Sequence, residues 1–305
     1  MTKNEFYAQN YFKYEDLTKE PFCDFFDTSD RNKLLTIDFY KRMNEICSEN
    51  NLPNFLLPFV GSDYYADEDK RVLLIAESKY INISNDDENK RKQDLELGRK
   101  FFSFVLDVLN DKTNGAMSES LLDFINRYNY TIFNQEPFIS YIKVRSAELG
   151  FAKMRCRDFG GWPFPYLIRE MNAVFGYQGS KKRAQLNMLK HIAYINYFQI
   201  PFVVESSKEK HGFTNQKYSE LIENNGISFE KYCEECDRIL DKVIETLNPS
   251  LIVFASKYGA SVYNGSYKEK VHAINHPVSW RDPKKNDKKK LNDILMHELK
   301  QKVFS

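Results

Sequence analysis

Four short apolar runs punctuate the chain: Val72 to Ala76, Ile192 to Phe198, Leu251 to Ala255 and Val271 to Ile274. A run without polar alternation predicts a strand buried on both faces, as in a parallel sheet. Between them the period changes to that of a helix. Ile37 to Met43 starts one, and Leu52-Pro53 and Leu57-Pro58 stop it. Leu95, Leu97, Phe101, Phe102, Phe104, Val105, Val108 and Leu109 line another. Ser118 to Ile125 is a third, with Ser118 or Ser120 as its cap, and Phe229 to Leu247 a fourth, capped by Ser228. Lys257 to Tyr263 predicts a short helix, and Leu291, Ile294, Leu295 and Leu299 a last one. Residues 85 to 92 are expected as a charged loop, Thr131 to Phe133 as a weak strand or a helix start, and Lys181 to Lys190 as a basic helix. Asp158 to Pro165 is the densest turn signal.

Strands separated by helices imply βαβ units. The expected fold is α/β: three layers, α/β/α, around a central, mostly parallel, four-stranded sheet. All 305 residues form one domain, with an N-terminal extension over about 1–65 and a helical insertion over about 85–190. In such a sheet, ligands bind beyond the carboxyl ends of the strands. That rule selects Ala76–Tyr80, Asn196–Phe198 and Asn275–Trp280.

Composition narrows the partners. Lys plus Arg (44) nearly balances Asp plus Glu (43), which excludes a histone-like binder but leaves room for a local basic patch. The five cysteines are scattered and make no disulfide framework; Cys233 and Cys236 lie inside a predicted helix and are expected to pack. No apolar run is long enough to span a bilayer and the first residues lack an apolar signal region, so a cytoplasmic protein away from membranes is expected. The N-x-[ST] matches at Asn82, Asn129 and Asn264 are then without a glycan. Dinucleotide, P-loop and nucleophile-elbow motifs are absent. His297-Glu298 lacks the second histidine of a zincin helix, and His272 and His276 fall on a strand and turn, so no metal and no cofactor is called for.

What remains is a polar group at three strand ends: Glu77, Asn196 and His276. An amide both donates and accepts and can read a base edge. A histidine can donate to a developing anion. A carboxylate can orient water. Here the chain resembles the uracil-DNA glycosylase superfamily. LLIAESKY is similar to its first motif, HIAYINYF to the strand with the base-reading asparagine, LNPSLIVFASKYGASVY to the element before the last motif, and VHAINHPVSW to the strand leading to its H-P-S motif. The resemblance covers short stretches between about 72 and 280.

That resemblance implies the following roles. Glu77 would orient water, Ser78 takes the place of the catalytic carboxylate or amide, and His276 would stabilise the departing base. Tyr80 would close the pocket and Asn196 would read the base, with Phe133, Trp162 or Phe164 stacking on it. Lys181, Lys182, Arg183, Ser279 and the Lys284–Lys290 run would hold the DNA backbone. The expected partner is DNA, single-stranded or as a duplex with a flipped base; protein partners are left open. Ala76 stands where the family has Gly and Lys79 where it has Pro, and Ser78 carries no charge, so Glu77 would act alone. The four-cysteine pattern of the iron–sulfur branches is missing.

Other readings stand beside this one. Glu77 is also a plausible cap or surface carboxylate, Asn196 a tie for a loop, His276 a turn residue, and the lysine run a solvated face. The chain as a whole is then a nucleic-acid or nucleotide-binding module without catalysis, or an α/β hydrolase acting on a small molecule.

Overall fold

The structure, a computed structural model, describes residues 33–52, 54, 56–78, 80–83, 87–112, 116–132, 171–172, 188, 190–205, 219–220, 222–275, 284 and 286–300. The described strands are β1 (Phe59–Val60), β2 (Val72–Ala76), β3 (Tyr80–Ile83), β4 (Ile192–Asn196), β5 (Phe202–Glu205), β6 (Leu251–Phe254) and β7 (Val271–Ala273). The α-helices among these residues are α1 (Asp38–Glu49), α2 (Glu88–Leu109), α3 (Glu119–Ile132), α4 (Phe229–Leu247), α5 (Lys257–Val262) and α6 (Lys288–Leu295).

One sheet has the order β1-β4-β2-β6-β7. Four of its strands run parallel, and β1 adds an antiparallel edge to β4. The sheet therefore has one strand more than the four expected. Two residues of β1 are too short a run for sequence periodicity to register. A second, two-stranded parallel sheet pairs β3 with β5, Tyr80 facing Phe202. Neither of its strands was expected, because each follows a stronger apolar run within a few residues.

All five residues of β2 and all five of β4 are buried. Leu73, Ile75, Ala193, Ile195, Ile252 and Phe254 join one contiguous core with residues of α1, α2 and α4. On the other face, Val72, Leu74, Ile192, Tyr194 and Val253 are buried as well. This two-sided burial is why the runs lack polar alternation.

The helices begin where their caps predict. Ser228 Oγ accepts the Lys231 N–H (3.2 Å) at the start of α4, and Asn248 ends that helix in the left-handed region at φ 44°. Ser118 Oγ accepts the Leu121 N–H (3.3 Å) ahead of α3. Asp87 caps α2 through the N–H groups of Asn89 (2.9 Å) and Lys90 (3.3 Å). The charged stretch expected as a loop is thus half helix: its polar residues form the first exposed turn of α2. Thr131 and Ile132 end α3 instead of starting a new element. Buried Asp94 on α2 ties down α3 by accepting from Arg127 and Tyr128, both at 2.7 Å.

Gly98 is where α2 meets β5. A Cβ there would lie 2.5 Å from Cγ1 of Val203, whose β-branched side chain has little freedom to turn away. Gly98→Ala should add about 1 kcal/mol of helix propensity. Overpacking should cost about 1–3 kcal/mol, so the net effect is a loss. A thermal melt should show a fall of about 2 °C; a rise would mean that α2 and β5 do not approach this closely.

His191, buried just before β4, has its imidazole pKa lowered, first by burial and then by the positive charge of Lys70, against the pull of Asp63 and Asp67. The folded state resists the proton that the unfolded chain accepts. Stability is therefore present above the ordinary histidine value of about 6.5 and is lost as pH falls below it. Urea midpoints should drop more from neutral to mildly acidic pH in the wild type than in His191→Gln. Equal drops would remove His191 from the account.

Candidate functional site

The order β4-β2-β6-β7 fixes where a ligand can bind. The chain leaves β2 towards β4 on one side, and leaves β6 towards β7 on the other. The carboxyl ends of β2 and β6 thus border a topological switch point, where such sheets open a crevice. Glu77 follows β2 directly, and Ser256 follows β6 by two residues. The Ser256 hydroxyl donates to Oε2 of Glu77 at 2.5 Å.

Alternation explains the meeting. Ile75 and Phe254 are register partners, and the next residue of like parity on each strand is Glu77 and Ser256. Buried Ser256 also accepts the Gly259 N–H (3.1 Å), so one hydroxyl caps α5 and orients the carboxylate. Tyr258, on the same turn of α5, has its hydroxyl pushed up to about 12. Burial is the main cause, followed by the Cys233 thiol and the Glu77 carboxylate. The Tyr258 ring lies 6.3 Å from that of Phe198, which stacks at 10° on Tyr232. A half-buried carboxylate thus stands beside a serine and a shelf of rings.

Backbone bonds hold this rim. Tyr197 N–H donates to Ala76 O (2.8 Å) and Phe198 N–H to Glu77 O (3.0 Å). Buried Gln199 donates to the carbonyls of Asn196 (2.9 Å) and Tyr197 (3.2 Å), and accepts the Tyr40 hydroxyl (2.8 Å) from α1. Ile200 N–H reaches the Tyr232 hydroxyl at 3.3 Å. The Tyr197 hydroxyl donates to Asp237 on α4 at 2.7 Å.

Asn196 pairs in register with Ala76, next to Glu77 along the chain, and is 2% exposed. Its parity is that of Tyr194, whose hydroxyl donates to Asn196 Oδ1 at 3.1 Å. Asn196 and Glu77 therefore flank the rim from opposite faces of the sheet. Ser78 is half-buried beside Glu77. Tyr80 enters the second sheet as the first residue of β3. His276, Phe133, Trp162, Phe164, Lys181, Lys182, Arg183 and Ser279 lie outside the described residues. The strand leading towards His276, β7, ends at Ala273; two residues on, the Asn275 N–H donates to Asp287 at 2.6 Å.

Phe198 lies in a stretch that the strand-end rule selects, whereas Ser256, Tyr258 and Gln199 are residues that the sequence expectations pass over. One signal was available: a serine at a strand end with glycine three residues later is a cap, and a cap at a switch point faces the crevice. Cys233 and Cys236 are buried on α4, and burial pushes Cys233 up to about 12 and Cys236 higher still. Both stay protonated thiols that pack. Among the described residues, no group of three or more His, Cys, Asp or Glu is placed to hold a metal ion, and no helix is long and apolar enough to cross a membrane.

Fold and rim together define an α/β protein with a mostly parallel sheet and a candidate site at its switch point. Compared with family models, curated proteins and solved structures, the chain finds no match.

Ser256→Ala removes both the cap of α5 and the donor to Glu77. It should lower stability by about 1–2 kcal/mol in urea unfolding. Ser256→Thr, which keeps the hydroxyl, should recover most of this. An alanine variant as stable as wild type would show that the Ser256–Glu77 bond contributes nothing.

Proposed function

We propose that the chain is a DNA glycosylase of the uracil-DNA glycosylase type, a three-layer α/β/α protein that hydrolyses the N-glycosidic bond of an extruded base. The observation that carries this reading is Glu77, held by Ser256 at the switch point. Extruding the nucleotide costs a few kcal/mol, least at a damaged or unpaired base. Glu77 directs a water oxygen onto the sugar carbon. The carbon–nitrogen bond breaks, its electron pair leaves with the base, and the water's proton passes to the carboxylate. His276 stabilises the base anion. The half-buried ring of Tyr258 gives a surface for stacking, worth about 1–3 kcal/mol per base.

A second reading keeps the crevice and drops the chemistry: a nucleic-acid or nucleotide-binding module. Two observations favour it. Ser78 supplies no charge for a sugar cation, and the Tyr194 hydroxyl already engages the Asn196 oxygen that would read a base.

Single-turnover base release from a uracil-containing oligonucleotide separates the two. The glycosylase reading expects release by the wild type and a loss of at least about 100-fold in Glu77→Gln, with folding retained. Oligonucleotide binding with no release from any damaged substrate would leave the binding module. Undiminished release in Glu77→Gln would take the chemistry away from this residue.

A further inference from the structure

Glycine follows asparagine at Asn114-Gly115, Asn225-Gly226 and Asn264-Gly265. The first pair lies outside the described residues. Asn225 and Asn264 are both exposed, but the fold treats the glycines after them differently. Gly226 adopts φ 80°, and its N–H donates to Glu223 O at 2.9 Å. The Gly265 N–H donates to no described residue, and the Asn264 side chain engages none. The groups around them are all engaged. Asn264 N–H donates to Asp237 Oδ2 (3.1 Å), Ser266 N–H to Asp241 Oδ2 (2.8 Å) and the Tyr263 hydroxyl to Asp241 Oδ1 (2.5 Å). Asp237 and Asp241 lie about one turn apart on α4, so the loop between α5 and β7 is seated across two carboxylates. The seat demands glycine: a Cβ at 265 would collide with Asp241 Oδ1 and Tyr263 Cε2.

We propose that Asn264 is a site of spontaneous deamidation selected by the fold, and that its isoaspartyl product loosens the support Asp237 gives the rim. The Gly265 nitrogen attacks Cγ of Asn264 and gives up its proton to water. The bond from Cγ to the side-chain nitrogen breaks, and that nitrogen takes a proton and leaves as ammonia. Water then opens the cyclic imide at either carbonyl, giving aspartate or isoaspartate. Glycine has no Cβ to shield the attacking nitrogen. Neither reacting group is one that seats the loop, whereas the Gly226 N–H must first leave Glu223 O. The chemistry needs water alone and holds whatever the crevice binds. Isoaspartate adds a methylene to the backbone between the N–H groups of residues 264 and 266. Their two carboxylates are fixed on α4, so both bonds cannot be kept as they are. Asp237 also accepts the Tyr197 hydroxyl at 2.7 Å, and Tyr197 N–H holds Ala76 O in the rim. Ageing of an exposed loop thus reaches the residues beside Glu77.

The test ages the full chain in mildly alkaline buffer at physiological temperature. Proteolytic peptides are then read by mass spectrometry, with isoaspartate separated from aspartate by chromatography. In the folded chain Asn264 should be lost about fivefold faster than Asn225, the factor by which a hydrogen bond of ordinary net strength holds back the Gly226 N–H. In urea the two should react at similar rates, which assigns the difference to the fold. The urea midpoint should fall more on ageing in the wild type than in Asn264→Ser. Equal rates in the folded chain, Asn225 reacting first, or Asn264 intact while the urea sample reacts would each overturn the site. Equal falls in midpoint would overturn its link to Asp237.

Discussion

Two backbone hydrogen bonds fix the rim of the candidate site in this protein. Tyr197 and Phe198 donate to the carbonyls of Ala76 and Glu77, so the pairing of β2 with β4 runs past the end of both strands. An ideal parallel ladder would skip every second residue. Here consecutive N–H groups bond consecutive carbonyls, and alternation ends at this point. The irregularity brings Phe198 into the ring cluster and places the Glu77 backbone against it. Without this clamp the carboxylate would sit on a loose loop, and Ser256 would have nothing fixed to donate to.

The clamp is itself supported from three helices. Gln199 is reached by Tyr40 from α1, Ile200 by Tyr232 from α4, and Tyr197 bonds Asp237 on α4. Ser256 begins α5. Among the described residues, three of the six buried polar side chains, Asn196, Gln199 and Ser256, sit at the rim, and each is hydrogen-bonded, as buried polar groups must be. The same network limits what Asn196 can do, since its oxygen already receives the Tyr194 hydroxyl.

The parallel strands and most helices were legible in the sequence because burial on both faces and capping residues leave local marks. Val72–Ala76 and Phe229–Leu247 match to the residue. β1, β3 and β5 were not legible, since a two- or four-residue strand is defined by its partner and not by its own pattern. Of the site, Glu77 could be read from its place after an apolar run. Ser256 could be read only as a helix cap and Tyr258 not at all, because what makes them part of the site is the order of strands in the sheet. That order depends on contacts between residues far apart in the chain. The role of Asn196 illustrates the converse: a polar residue in an apolar strand is conspicuous, but sequence does not say which neighbour takes its hydrogen bond.

The distance along the chain between the two halves of the clamp has a kinetic consequence. Glu77 and Phe198 are separated by more than a hundred residues, and Ser256 lies further on still. Loops of that length close late, and non-local pairings govern folding speed. A ribosome that has released only the first half of this chain has made β2 and its carboxylate but none of the groups that orient it. The carboxylate of Glu77 is therefore oriented only after the chain has been made as far as Ser256.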